Sequence, residues 1–132
     1  MTRALHRIAH LAVALWVGAV AAVSFVVAPR VFAVLEREAA GDLMMPIFRY
    51  VDFFGVGAAA LYLFVSSRSR ARPIMAGVMG AAAAVNAWAL GPRIAARAEH
   101  WELFHKISTG LWGGILVGGA ILVLIGRPPV NR

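Results

Sequence analysis

Four apolar runs set the limits on what this chain can become: Leu11 to Ala28, Val51 to Val65, Ile74 to Leu90 and Leu111 to Ile125. A helix needs roughly 20 apolar residues to cross a hydrocarbon core about 30 Å thick, so each run approaches a span, the second and fourth by borrowing from their flanks. None alternates with period two, and Ala, Gly and Leu recur throughout, which predicts helix over strand. A lone strand would in any case leave its backbone unsatisfied in lipid. Composition agrees: 61% of residues are hydrophobic and 14% charged, where a soluble domain carries about 25% charged residues. The predicted fold is an all-α integral membrane protein: one membrane domain over residues 1–132, a four-transmembrane-helix bundle with spans near 8–28, 49–66, 74–91 and 108–126.

Charge orients the bundle. With four crossings, one side holds Arg3, Arg7, Arg68, Arg70, Arg72, Arg127 and Arg132 and no acid. The other holds Arg30, Arg37, Arg49, Arg93, Arg97 and Lys106 with all six acids, Glu36, Glu38, Asp42, Asp52, Glu99 and Glu102, and is neutral overall. The positive-inside rule puts both termini and the 66–73 connection in the cytoplasm. The net charge of +7 is explained by this asymmetry, and with no basic patch interleaved with aromatics, nucleic acid is not an expected partner. Basic residues ahead of an apolar run also suit a signal peptide, but the run continues past Ala19-Val20-Ala21 to Ala28, so an uncleaved first helix is expected. The chain has no cysteine, which removes disulfides, thiolate metal sites and thiol catalysis.

Two exits share their punctuation. "VVAPRVFAVLERE" leaves the first run and "ALGPRIAARAE" the third, with Pro29 and Pro92 63 positions apart. Proline removes a helix hydrogen bond and restrains the residue before it, while arginine reaches the head groups. After each pair an amphipathic segment follows, with Val31, Phe32, Val34 and Leu35 apolar in one and Ile94, Trp101, Leu103 and Phe104 in the other. Both are expected as short surface helices. The chain then reads as a 2+2 parallel repeat, with convergent interface chemistry as the alternative. In the fourth run Gly110, Gly114 and Gly118 recur every fourth residue, and Gly55, Ala59, Gly77, Ala81 and Ala84 offer matching surfaces. Small residues at this spacing predict close helix packing, either within one bundle or in a homo-oligomer.

Taken in order, Trp16-Val17-Gly18, "VVAPRVF", "IFRYVDFFGVGAAAL", "PRIAAR" and "LFHKIS" resemble the four-helix transmembrane protein 205-like family, whose bacterial members are a membrane domain of unknown function. The resemblance covers nearly the whole chain and implies residence in the bacterial cytoplasmic (inner) membrane. Such proteins often have Asn four residues after the serine of the fourth-helix motif; here Ser108 is followed at that place by Trp112. "HLAVALWVGA" is similar, less specifically, to copper-resistance D membrane domains. Neither resemblance implies an established reaction.

Polar residues inside spans are functional candidates by default. Ser24, Arg49, Asp52, Asn86, Arg93, His105, Ser108 and Thr109 fall at one depth, in the outer leaflet, and predict an outward-facing polar cluster between helix ends, with Arg49 and Asp52 close enough in sequence to pair. The competing interpretation is a set of interfacial residues that satisfy one another and the head groups. His6 and His10 lie one turn apart, and Glu102-x-x-His105 is a single copy of the element that di-iron bundles use twice. His10 and His105 are the candidate ligands for haem b or copper, although the topology sets them near opposite faces, about 20 Å apart in depth. No catalytic set emerges: there is no Ser-His-acid convergence, phosphate loop or carboxylate pair. The expected function is a non-catalytic membrane protein that assists a transport or envelope process through the outer cluster, with no cofactor; the alternative is a haem- or copper-binding redox or metal-handling protein. Expected partners are the lipid bilayer and either a protein partner or further copies of the chain.

Overall fold

The computed structural model describes residues 3–66 and 71–125; Arg68, Arg70, Arg127 and Arg132 of the basic side lie outside them. Four long helices account for almost all of the described chain: α1 (Arg3–Val34), α2 (Arg37–Val65), α3 (Ala71–Ala95) and α4 (Trp101–Ile125). All four are long and apolar enough to cross a membrane, and large apolar side chains such as Leu11, Leu15, Phe25, Phe64, Val78 and Leu124 stand on the outer surface. In water that surface would drive aggregation; in a bilayer it is the side that meets lipid. The chain is a multi-pass membrane protein.

The helices run up and down in sequence order, and each packs on two neighbours: α1 on α2 and α4, and α3 on the same two. Helices α1 and α3 therefore face each other across one diagonal of the bundle, and α2 and α4 across the other. Two contacts mark the ends. Arg97 Nη2 lies 3.0 Å from Glu38 Oε1, joining the α3–α4 connection to the first turn of α2 at the end that bears both Pro-Arg pairs. At the opposite end, Arg72 Nη2 donates to the Ile125 carbonyl at 3.1 Å.

The helix does not stop at either proline. A π-helical turn precedes each one, Val23–Val27 and Val85–Leu90, and α-helix resumes over Ala28–Val34 and Gly91–Ala95. The Ala28 N–H donates to the Val23 carbonyl and the Gly91 N–H to the Asn86 carbonyl, each five residues back. The pairing has thus slipped by one residue before the proline arrives, and the wider turn makes room for a ring that would strike an α-helical carbonyl. The amphipathic exits consequently continue α1 and α3. Trp101, Leu103 and Phe104 open α4 instead of belonging to a surface helix, and the link to them turns through Arg97 and His100 at positive φ of 47° and 63°. Likewise α2 begins at Arg37, twelve residues before the expected span, and carries Pro46 inside it.

Glycine packing differs from the four-residue stripe. Gly55 lies under the Trp16 indole, Gly119 lies against Val17, and a Cβ on Gly80 would come 2.6 Å from that of Ala59. Gly110 and Gly114 have nothing within 4 Å of such a Cβ, and Gly118 is in ordinary contact with two flexible side chains of α3, Met79 at 3.4 Å from its Sδ and Met75 at 3.9 Å from its Cγ. The buried line of α4 is Trp112, Ile115, Gly119 and Leu122, so Gly110 and Gly114 face away from this bundle and do not pack it. The bulky members of the buried line decide which way the helix turns, because they bury the most apolar area.

Candidate functional site

Among the described residues two polar side chains are buried, Asp52 and Asn86, each 3% exposed. Asp52 comes from the middle of α2. Its neighbours on that face are Phe48, one turn before, and Gly55, one turn after, where the missing side chain admits Trp16. From across the diagonal, Trp112 of α4 donates its indole N–H to Asp52 Oδ1 at 3.0 Å and meets Phe48 edge-on, with ring centroids 4.9 Å apart. The carboxyl is therefore held in the centre of the bundle, between aromatic rings.

Asn86 lies in the π turn of α3, a segment that packs against both α2 and α4. Contacts along the helices fix its depth. Gly80 meets Ala59 and Trp88 meets Phe53, at 5.2 Å between rings, so Asn86 falls within a turn of Asp52. On the other side Met79 meets Gly118 and Gly119, and seven residues on, Asn86 comes level with Leu111 and Trp112. The Asn86 amide nitrogen and oxygen have no hydrogen-bond partner among the described residues, and neither does Nε1 of the fully buried Trp16. Buried polar atoms without partners are rare, and each calls for a physical reason.

The remaining candidates lie further out. Arg49 is exposed and does not pair with Asp52; its guanidinium sits 5.4 Å from the Phe53 ring centroid. Local spacing would allow the pair, but Asp52 turns inward, where an arginine could not follow without losing its water. Arg93 is exposed, donates to the Ala89 carbonyl at 2.9 Å and lies 5.8 Å from the Phe104 ring centroid. Ser24 and Ser108 are half-buried, His105 is exposed, and the Thr109 hydroxyl donates to the His105 carbonyl at 2.9 Å. His10 is half-buried near the start of α1, whereas His105 stands near the start of α4, at the other end of the bundle. No three His, Asp or Glu side chains gather into a metal-sized group among the described residues. The predicted cluster thus divides into an interior pair, Asp52 and Asn86, and an exposed rim. Trp16 and Trp112 complete the interior and were not among the predicted site residues, although an indole within a span always brings one donor that needs a partner.

A family model described as a domain of unknown function, DUF4149, matches residues 11–102, a stretch that holds Asp52, Asn86, Trp16 and both Pro-Arg pairs. The chain belongs to the DUF4149 family. That is an uncharacterised membrane-domain family, and the match carries neither of the two finer family names suggested by the motifs. No curated protein and no solved structure matches the chain.

Proposed function

We propose that this chain is a non-catalytic module of the bacterial inner membrane, with its termini in the cytoplasm, that assists a transport or envelope process by binding a small ligand at the Asp52–Asn86 level. The observation that carries the proposal is a carboxyl group 3% exposed in an apolar bundle, held by one indole and lacking a cationic side chain beside it among the described residues. A buried acid is costly to a membrane fold, and an acid kept there despite the cost points to function. Charge asymmetry supports the orientation, which places the Pro-Arg end away from the cytoplasm. The motif order supports a kinship with transmembrane protein 205-like proteins. The test is complementation. Asp52→Asn keeps the shape and the acceptor for Trp112, so the variant should accumulate normally in the membrane yet fail to restore the phenotype of a deletion strain. Full restoration would reduce Asp52 to a structural residue and end the proposal.

A further inference from the structure

The π turns leave more unpaired than the Asn86 side chain. In α3 the Gly91 N–H, which α-helical pairing would give to Ala87, goes to Asn86 instead. The next N–H along, five residues from Ala87, would belong to Pro92, which has none. Ala87 is 1% exposed and no side chain among the described residues donates to it, so its carbonyl is buried and free. The same count in α1 frees the Ser24 carbonyl: the Ala28 N–H goes to Val23, and Pro29 has no N–H to offer. Within about a turn of one depth, the adjoining helices α2 and α3 therefore hold a carboxyl, the Asn86 amide oxygen and the Ala87 carbonyl, three buried oxygen acceptors. Arg49 and Arg93 stay outside, one on the Phe53 ring and the other on the Ala89 carbonyl.

Buried oxygens with one negative side chain among them are the chemistry of a hard cation. Carbonyls released where a membrane helix departs from regular pairing are suited to such ions. The charge count selects the valence. A single carboxyl balances one positive charge, whereas a divalent ion would leave an uncompensated charge within the apolar bundle.

We propose that the bundle binds one monovalent cation of the sodium class through Asp52, the Asn86 side-chain oxygen and the Ala87 carbonyl. Asn86 and Trp16 keep N–H groups to spare, and these hold water that completes the ion's shell. The proposal rests on the small-ligand reading above and names its ligand.

The test follows thermal unfolding of the full chain, purified in detergent, as NaCl replaces choline chloride at constant ionic strength. Ligand binding to the folded state raises the melting temperature saturably. Sodium should give such a rise, CaCl2 at matched ionic strength a smaller one or none, and Asp52→Asn and Asn86→Leu should lose it. Asp42→Asn, an exposed acid on the same helix, should keep it. Equal melting in choline and sodium, an undiminished rise in Asp52→Asn or Asn86→Leu, or a larger response to calcium would overturn the assignment. Should both site variants fail to fold, equilibrium binding of sodium-22 to the wild-type chain decides: one ion per chain supports the site, and none removes it. A chain that ignores sodium but whose Asp52→Asn variant still fails complementation would lose this proposal and leave the small-ligand function standing.

Discussion

At the residue scale, one hydrogen bond across the bundle, from the Trp112 indole, holds the carboxyl of Asp52. Asp52 and Asn86 interrupt apolar runs, and that is visible without coordinates. Local spacing pointed to Arg49 as the partner, because residues three apart share a helix face. The actual partner, Trp112, lies 60 positions away and arrives across the bundle diagonal, which no local pattern encodes. A double-mutant cycle checks the assignment. Asp52→Ala with Trp112→Phe should show a coupling of about 1 kcal/mol in unfolding free energy, the scale of one hydrogen bond. Asp52→Ala with Arg49→Gln should be additive within about 0.5 kcal/mol. A larger coupling to Arg49 would restore the pairing that sequence spacing suggested.

At the scale of the element, the glycines show why periodicity alone misplaces a helix face. Gly110, Gly114 and Gly118 keep a four-residue spacing, yet the face that enters the bundle is the one carrying Trp112, Ile115 and Leu122, and Gly119 is its small member. A Cβ at position 119 runs into Val17, while one at 114 meets nothing. Gly119→Ala should therefore lower the stability of the purified chain by about 1–3 kcal/mol, the usual penalty of overpacking. Gly114→Ala should be neutral, or stabilising by up to about 1 kcal/mol through helix propensity. Thermal or denaturant unfolding in detergent distinguishes them, and the reverse order would return the four-residue stripe to the bundle interior. The helix exits were misread for a related reason. Proline was expected to end a helix, and the π turn that lets the helix pass through it has no signature in apolar periodicity.

For the whole molecule, the four spans and their alternation were legible because hydrophobic length and backbone satisfaction leave lipid-exposed chains few alternatives. The charge asymmetry gives the orientation a direct check: cysteines introduced at Ser67 and Glu99 should be labelled by an impermeant reagent from opposite sides, Ser67 from the cytoplasm. Labelling of both from one side would refute four crossings. The diagonal placement of α1 against α3 and of α2 against α4 is the arrangement that a twofold axis along the bundle would produce, and both halves place a π turn directly before Pro-Arg. Such a turn is one residue more than an α-helix needs to cover the same length. In a 3.6-residue helix one surplus residue swings everything beyond it by about 100° around the axis. The directions of Arg30 and Arg93 are accordingly set by an insertion buried within the span behind each of them. Deleting one residue between Val85 and Leu90 would leave hydropathy, charge count and number of crossings untouched, yet it would aim the following Pro-Arg at a different neighbour. A comparison of relatives by composition would not register that change, whereas one that counts residues between Asn86 and Pro92 would.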